Sequence, residues 1–502
     1  MTEVVVMGGE RLTAGMRRWG RLDAAAHTAV HGVMPRYSLA KLIALAERVD
    51  LRGHGGAAFP FARKLRAVAD SAKRRDLRPA VLVNGAEGEP ASVKDALLLT
   101  RAPHLVLAGA TLAATALGAD TVVVAVTEPT DVPADPGDTG DPADDRARSV
   151  RRALAEGGIA GGSEVVTLPE AFVTGEGGAL VQGVNGGPAI PPGQKVRAAT
   201  SGVDGLPTLL SNTETFAQLG LLGIHGAAWY ADVGIPDEPG TVLLSVTTRG
   251  RAPVVVETPT GVPLTEVLRA CGADSGQGVL TGGYHGTWLT PAAADAVRVS
   301  RAGMDTLGGA LGAGIIVVVP PDVCPLGEIA RVAAYLGAQS SGQCGPCYMG
   351  LPALARAVAA LASGAADSGT LTGIRRGAEA LPGRGACHHP DGATRFLRTA
   401  LDVFHEDVSA HLSRGGCGRP TRGVLPLPGE DTAGSGARLT VDWTRCDGHG
   451  LCAHLVPGLI RLDQDGFPIV SDTPIPAGMT RDVASAIAMC PALALRVEER
   501  TG

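Results

Sequence analysis

Cys446, Cys452 and Cys490 are cysteines of the type and spacing that hold iron. The first two close the stretch CDGHGLC, and the third is followed by Pro491. Each thiolate can bind one iron, and His449 between the first pair carries an imidazole that can also ligate a metal. A second set lies upstream, with Cys344 and Cys347 in SSGQCGPC and Cys387 about 40 residues on. Three thiolates there suit an iron–sulfur cluster or zinc, and His388 and His389 directly after Cys387 favour zinc. Cys324 and Cys417 read as buried or free thiols. The chain has 9 cysteines, all from Cys271 onward. An odd count without an export signal argues for reduced thiols or metal ligation.

Two other stretches carry chemistry. LRGHGGAAFP (51–60) sets Gly53, Gly55 and Gly56 between two helical stretches. Closely spaced glycines let backbone N–H groups approach a phosphate, and the next helix adds its positive dipole end. Lys64, one turn into that helix, can add a cation. A tight turn and a solvated lysine are the plainer reading of the same residues. NGAEGEPASVKD (84–95) puts Glu87 and Glu89 just past a strand end, where ligands of open α/β sheets bind. Two acids there need donors such as a ribose or an isoalloxazine ring, or they cap the next turn.

These stretches need a scaffold. Residues 38–49 carry apolar positions at helical spacing, 78–85 form a short β-branched run, and the helical 103–118 and the strand 121–126 repeat the theme. This alternation predicts an α/β domain with a largely parallel sheet. Residues 131–145, rich in Asp, Pro and Gly, are expected to be a solvated, mobile insertion. From about 240 the order strand, turn, strand, helix, strand suggests a small α+β module, and 323–415 is helical again. TRGVLPLPGEDTAGSGAR (421–438) has linker composition and as coil would span roughly 20–25 Å. A chain of 502 residues implies three or four domains. A net charge of −6 leaves no basic footprint for nucleic acid. Nothing in MTEVVVMGGERL resembles a signal peptide, and the most apolar stretch, 105–126, is broken by Asp120 and reads as a buried helix and strand. A cytoplasmic chain without a transmembrane segment is expected.

Five motifs in order, LRGHGGAAFP, NGAEGEPASVKD, FVTGEGGAL (172–180), GLPTLLSNTET (205–215) and SGQCGPCYMG (341–350), resemble the flavoprotein subunit of respiratory complex I. Diaphorase subunits of NAD-linked hydrogenases and formate dehydrogenases share this core. The resemblance covers roughly residues 35–415. It implies a multidomain α/β and α+β chain: an FMN- and pyridine-nucleotide-binding α/β domain (1–235), a β-grasp-like module of the SLBB type (236–322) and a helical iron–sulfur domain (323–420), with a linker at 421–437. By the resemblance, Gly53, Gly55, Gly56 and Lys64 would hold the FMN phosphate and ribose. Asn84, Glu87 and Asn212 would lie against the flavin. Phe59 would stack on the nucleotide, Glu89 would contact it, and Gly175 and Glu176 would belong to the same pocket. The chain departs from the family at Ala86, where Asp is usual, at Gly88 (Ser), at Gly177 (a second Glu) and at Ser341 (Cys). A Lys-Pro-Pro-Phe segment is replaced by QKVR (194–197). Arg197 there can pair with a 2′-phosphate, which leaves NADPH open beside NADH.

Residues 438–502 resemble small single-cluster bacterial ferredoxins that serve haem monooxygenases, including the Cys-Pro signature at Cys490. A 3Fe–4S cluster needs three cysteine ligands, which is what this chain supplies. A 4Fe–4S cluster with His449 as fourth ligand is the alternative. In the helical domain, 4Fe–4S or 3Fe–4S is expected on Cys344, Cys347 and Cys387, with Ser341 a candidate fourth ligand. The implied activity is electron transfer from NAD(P)H through FMN and iron–sulfur clusters to an external ferredoxin-type or haem-monooxygenase acceptor. A diaphorase subunit of a larger dehydrogenase and a non-catalytic carrier with a decayed pocket are the alternatives. Hydride transfer needs no side-chain acid or base, so no catalytic residue is assigned.

Overall fold

The computed structural model describes residues 2–128, 146–157, 162–193, 196–248, 252–367, 369–428, 438–456, 459–470, 475 and 480–498. The acidic insertion 131–145, Gln194, Lys195 and the second half of the linker lie outside them. Strand β1 (Val4–Val6) opens the chain. Helix α1 (Leu39–Arg48) begins at Ser38, whose side chain accepts from Lys41 N, and leads into the glycine loop. After the loop come α2 (Phe61–Arg75), β2 (Ala80–Gly85), α3 (Lys94–Arg101), α4 (Pro103–Leu117) and β3 (Thr121–Glu128). Then follow β4 (Ser163–Pro169), α5 (Gly177–Val184), β5 (Thr208–Asn212) and α6 (Thr213–Tyr230).

Strands β4, β3, β2 and β5 form one sheet in that order, all parallel. The chain winds outward from β2 to β4 and then returns to the other side of β2 with β5. A reversal of this kind opens a crevice at the carboxyl ends of β2 and β5. Asn84 on β2 and Asn212 on β5 are register partners at that edge. The apolar run 105–126 folds as expected, into the buried helix α4 and the core strand β3. Helix α4 lies so close to α6 that a Cβ on Gly109 would overlap Phe216 O. Among the described residues no single helix is long and apolar enough to cross a membrane; α3 and α4 qualify only as a pair bent by 92°.

A second sheet contains β6 (Thr241–Thr247), β7 (Val254–Pro259), β8 (Gly278–Thr281), β9 (Thr287–Leu289) and β10 (Ile315–Val319). Its order is β1-β7-β6-β10-β8-β9, with β10 parallel to β6 and β6 antiparallel to β7. Strand β1 pairs parallel with β7, so the N-terminal residues lie on this sheet and not on the parallel one. The helical run follows: α7 (Pro325–Ala338), α8 (Leu351–Ala362), α9 (Thr370–Ala380), α10 (His389–Val403) and α11 (His405–Arg414). The chain divides into two units, one ending at Thr421 and one beginning at Arg422. In the second unit, β11 (Arg438–Val441) pairs with β14 (Leu495–Glu498) and β12 (Ile460–Leu462) with β13 (Pro468–Val470), all antiparallel. Helices α12 (Leu451–Leu455) and α13 (Thr480–Met489) complete it, over a core that includes Leu439, Val456, Ile460, Val483 and Leu495.

Candidate functional site: a nucleotide crevice and three cysteine sites

The glycine loop meets the crevice at Asn212. A Cβ on Gly55 would come within 3.2 Å of the Asn212 Cβ. Asn212 caps α6, its Oδ1 accepting from Thr215 N at 3.3 Å and from the Thr215 hydroxyl. Its Nδ2 is buried with no protein partner among the described residues. A buried amide donor left without an acceptor costs about 1–3 kcal/mol, so it points to a ligand atom. In the loop, Gly53 N donates to Phe59 O at 3.0 Å, which makes Gly53 part of a turn. Gly56 has φ +109°, with open space where a Cβ would stand. Phe59 is exposed, with the Arg63 guanidinium 5.4 Å from its ring centre. These features fit a nucleotide whose phosphate lies on the loop and whose ring accepts from Asn212.

Other expected residues are held by the protein itself. Asn84 Nδ2 donates to Gly175 O at 2.9 Å, joining two expected pocket residues. The Glu87 carboxylate accepts from Ser92 Oγ, Asp95 N and Ala96 N at 2.5, 3.0 and 2.8 Å, so it caps α3. Glu176 likewise caps α5 through Gly178 N and Ala179 N. Lys64 Nζ donates to Leu210 O at 2.9 Å, and burial lowers its pKa to about 8. Glu89 accepts from Tyr284 N at 3.1 Å, and burial outweighs that bond and raises its pKa to about 8. Arg197 is exposed.

A cavity of about 140 Å³ opens beside the loop, lined by Gly53, His54, Gly56, Lys94, Glu214 and Arg301 among others. Neither Asn84 nor Asn212 lines it. At its wall Lys94 and Glu214 form a fully buried ion pair. Lys94 Nζ also donates to His54 O at 2.9 Å, and Glu214 Oε1 accepts from Leu243 N at 3.0 Å. The pair therefore ties the glycine loop, α3, α6 and the second sheet together. Sequence reading missed it; the signal was the charged pair Lys94-Asp95 at the start of an apolar helix, ASVKDALLL.

The helical unit brings Cys344, Cys347 and Cys387 together. Burial opposes ionisation of Cys344, but hydrogen bonds from Ala386 N, Cys347 N and the Cys347 thiol outweigh it and lower its pKa. Cys347 is pushed up to about 12 by burial and by the neighbouring Cys344 and Cys387 sulfurs. Ser341 is half-buried in the same loop. Of the two histidines weighed as completing a zinc site here, His389 has both ring nitrogens engaged. His389 spends Nε2 on Leu336 O at 2.8 Å and Nδ1 on His285 Nε2 at 3.0 Å. His388 is 86% exposed and its Nδ1 pairs with Asp391 at 3.0 Å.

In the second unit Cys446, His449, Cys452 and Cys490 line one small pocket together with Pro491 and Leu495. The loop closes because Gly448 and Gly450 adopt φ +70° and +72°, the left-handed region that glycine enters without strain. Ala494 N donates to Cys490 Sγ at 3.4 Å, the kind of bond that supports a cluster sulfur. A further group lies in the first unit. Cys324 and Cys417, expected as buried or free thiols, converge with the unremarked His411, their ligand atoms within 4.8 Å of one another.

A crevice at the carboxyl ends of a parallel sheet, followed by cysteine sites in each unit, is an arrangement that suits flavin and iron–sulfur electron transfer. Comparison with known proteins is more specific. Residues 46–220 match the Nuo51 FMN-binding domain, 328–411 the NADH-ubiquinone oxidoreductase-F iron-sulfur binding region, and 439–497 a 4Fe-4S single cluster domain. The chain carries these three domains in that order. It is 26% identical over 409 residues to the second F-subunit of the NADH-quinone oxidoreductases of Rhizobium meliloti (strain 1021), covering 78% of this chain and 93% of that protein. Against the NADH-quinone oxidoreductase F-subunit of Escherichia coli (strain K12) identity is 27% over 385 residues, covering 72% and 82%. Among solved structures, NAD+-reducing NiFe-hydrogenase in the air-oxidized state aligns with a TM-score of 0.67 at 24% identity, over 84% of this chain and 68% of that one. That likeness speaks for the fold alone.

Proposed function

We propose that this chain oxidises a reduced pyridine nucleotide at an FMN held in the β2–β5 crevice, and that its clusters carry the electrons one at a time to an external ferredoxin-type or haem-monooxygenase acceptor. FMN, when bound, supplies the conversion from two-electron to one-electron chemistry. The chain's own residues bind and orient. Gly55 and Gly56 would receive the phosphate, Asn212 Nδ2 would donate to the ring, and Phe59 would stack on the incoming nucleotide. Gly175, held by Asn84, shapes the pocket wall. The observation that carries this reading is the orphaned Asn212 donor against Gly55 at the switch point of the parallel sheet. NADH is favoured by the names of the relatives; Arg197 keeps NADPH in the test.

In the helical unit, Cys344, Cys347 and Cys387 would hold one cluster. In the second unit, Cys446, Cys452 and Cys490 would hold a 3Fe–4S cluster, with His449 the ligand that would convert it to 4Fe–4S. The cytoplasm is the compartment that suits reduced thiols. A second reading, a diaphorase subunit of a larger complex, is favoured by the relatives, which are named as subunits. One experiment separates the readings. The chain is purified anaerobically, reconstituted with FMN, iron and sulfide, and mixed with NADH or NADPH. Flavin bleaching followed by reduction of an added one-electron acceptor protein supports the first. Bleaching without onward transfer supports the second. Absence of flavin after reconstitution defeats both.

A further inference from the structure

Cys324, His411 and Cys417 are held by three separate parts of the helical unit. Cys324 is the N-cap of α7, His411 lies in the last turn of α11, and Cys417 sits in the strap that leaves α11. All three ligand atoms fall within 4.8 Å of one another, and Cys324 Sγ is 3.4 Å from His411 Nε2. Zinc bonded tetrahedrally at about 2.3 Å to sulfur and about 2.0 Å to nitrogen would set such atoms about 3.5–3.8 Å apart. Cys324 and His411 are both buried, at 4% exposure each, and Cys417 is half-buried. The His411 ring has no oxygen partner, and its Nδ1 bonds nothing among the described residues. A buried imidazole facing two sulfurs is poorly satisfied without a metal.

The surrounding backbone holds the strap in place. Cys324 N donates to Pro420 O at 2.9 Å, and Gly327 N donates to Cys324 Sγ at 3.3 Å. A Cβ on Gly327 would overlap the Thr421 hydroxyl, so the strap crosses α7 where only glycine admits it. Arg419 is anchored on Gln277 Oε1 at 2.7 Å and on Asp407. The strap ends where the first unit ends, at Thr421.

We infer that Cys324, His411 and Cys417 form a zinc site, separate from the two iron–sulfur sites, that clips the 415–421 strap to α7 and α11. Two thiolates and one imidazole in compact array are donors that select zinc. The fourth position is open on the half-buried Cys417 side and takes water. Binding releases the thiol protons and draws three distant segments onto one ion, so its free energy adds to the stability of this corner. Zinc-binding His ligands usually have an outer-shell acceptor on the second nitrogen, worth about 10–100-fold in affinity. His411 Nδ1 has none among the described residues, so this zinc is removable by a strong chelator without unfolding.

The test uses the full chain with its clusters and flavin in place, with metals counted by mass spectrometry. About one zinc per chain is expected beyond the iron. Cys417→Ser and His411→Ala are expected to lose it while iron content and the flavin spectrum stay unchanged, and Cys344→Ser is expected to keep it. Replacement by cobalt should give the intense visible absorption of a tetrahedral thiolate site, absent in Cys417→Ser. The half-buried Cys417 is the primary variant because Cys324→Ser alters a buried helix cap. A wild-type chain that retains no zinc after incubation with the ion and desalting overturns the inference. Zinc undiminished in Cys417→Ser overturns it equally, as does a Cys324–Cys417 disulfide in anaerobically purified protein.

Discussion

Asn212 Oδ1 caps α6 while Asn212 Nδ2 waits for a ligand, and this division lets the two roles be separated. Asn212→Asp keeps the cap and replaces the donor by an acceptor. Flavin affinity is expected to fall tenfold or more, read by fluorescence titration, with the thermal midpoint nearly unchanged. Asn212→Ala would lose both, at a further cost of about 1 kcal/mol for the cap. At the ferredoxin site His449 shares a pocket with three cysteines. His449→Cys supplies a fourth thiolate and is expected to convert a 3Fe–4S centre to 4Fe–4S. The oxidised protein would then lose its low-temperature EPR signal and gain one on reduction. A wild-type centre silent when oxidised would instead make His449 a ligand.

Elements carry the next level of constraint. Lys94 and Glu214 close the joint between the glycine loop, α3, α6 and the second sheet, and both are almost wholly buried. Removing one partner of a buried ion pair typically costs 3–5 kcal/mol, because the other charge is left alone. Lys94→Met should therefore destabilise by about that much in urea melts, and Lys94→Met with Glu214→Leu should recover a large part of it. A short helix, Ala24–His31, carries a pH response. Burial, then His104, lowers the His27 pKa to about 4; burial, then His27 and His225, lowers that of His31 to about 3. Both rings are neutral when folded and take protons on unfolding below about pH 6.5. Their contribution is complete above that value and is lost as pH falls toward 4 and 3, at roughly 1.4 kcal/mol per unit of pKa difference. Replacing both by Leu should flatten the urea midpoint between pH 4 and 6.5; an unchanged slope would contradict the assignment.

At the level of the whole molecule, an FMN-binding domain and a single-cluster domain stand on one chain, and under the proposed function they would be donor and acceptor. Intramolecular encounter raises the effective concentration to the millimolar range for short flexible linkers. Cys490→Ser is expected to leave NADH bleaching of the flavin intact and to abolish reduction of an external acceptor protein by this chain. Stopped-flow absorbance follows both steps. If transfer persists, the electrons leave from the helical-unit cluster and the ferredoxin domain serves another purpose.

The elements and the cysteine sets could be read directly from the chain, because periodicity and ligand spacing are local properties. The helix within 38–49, the buried 105–117 helix, the parallel strands and the GHGG and CDGHGLC loops all follow from residues close in sequence. What could not be read is where distant residues meet. Nothing local distinguishes Glu87 beside a ligand from Glu87 as a helix cap, and its three donors appear only once α3 is folded back on the loop. The same holds for His389, whose two nitrogens are claimed by Leu336 and His285, 53 and 104 residues away. Cys324 and His411 are 87 residues apart, and their meeting depends on α7 and α11 packing together. Residue chemistry and local period were determined by the sequence alone; the partner each buried polar group finds was decided by tertiary packing, because burial forces such groups to be satisfied by whatever the fold brings near.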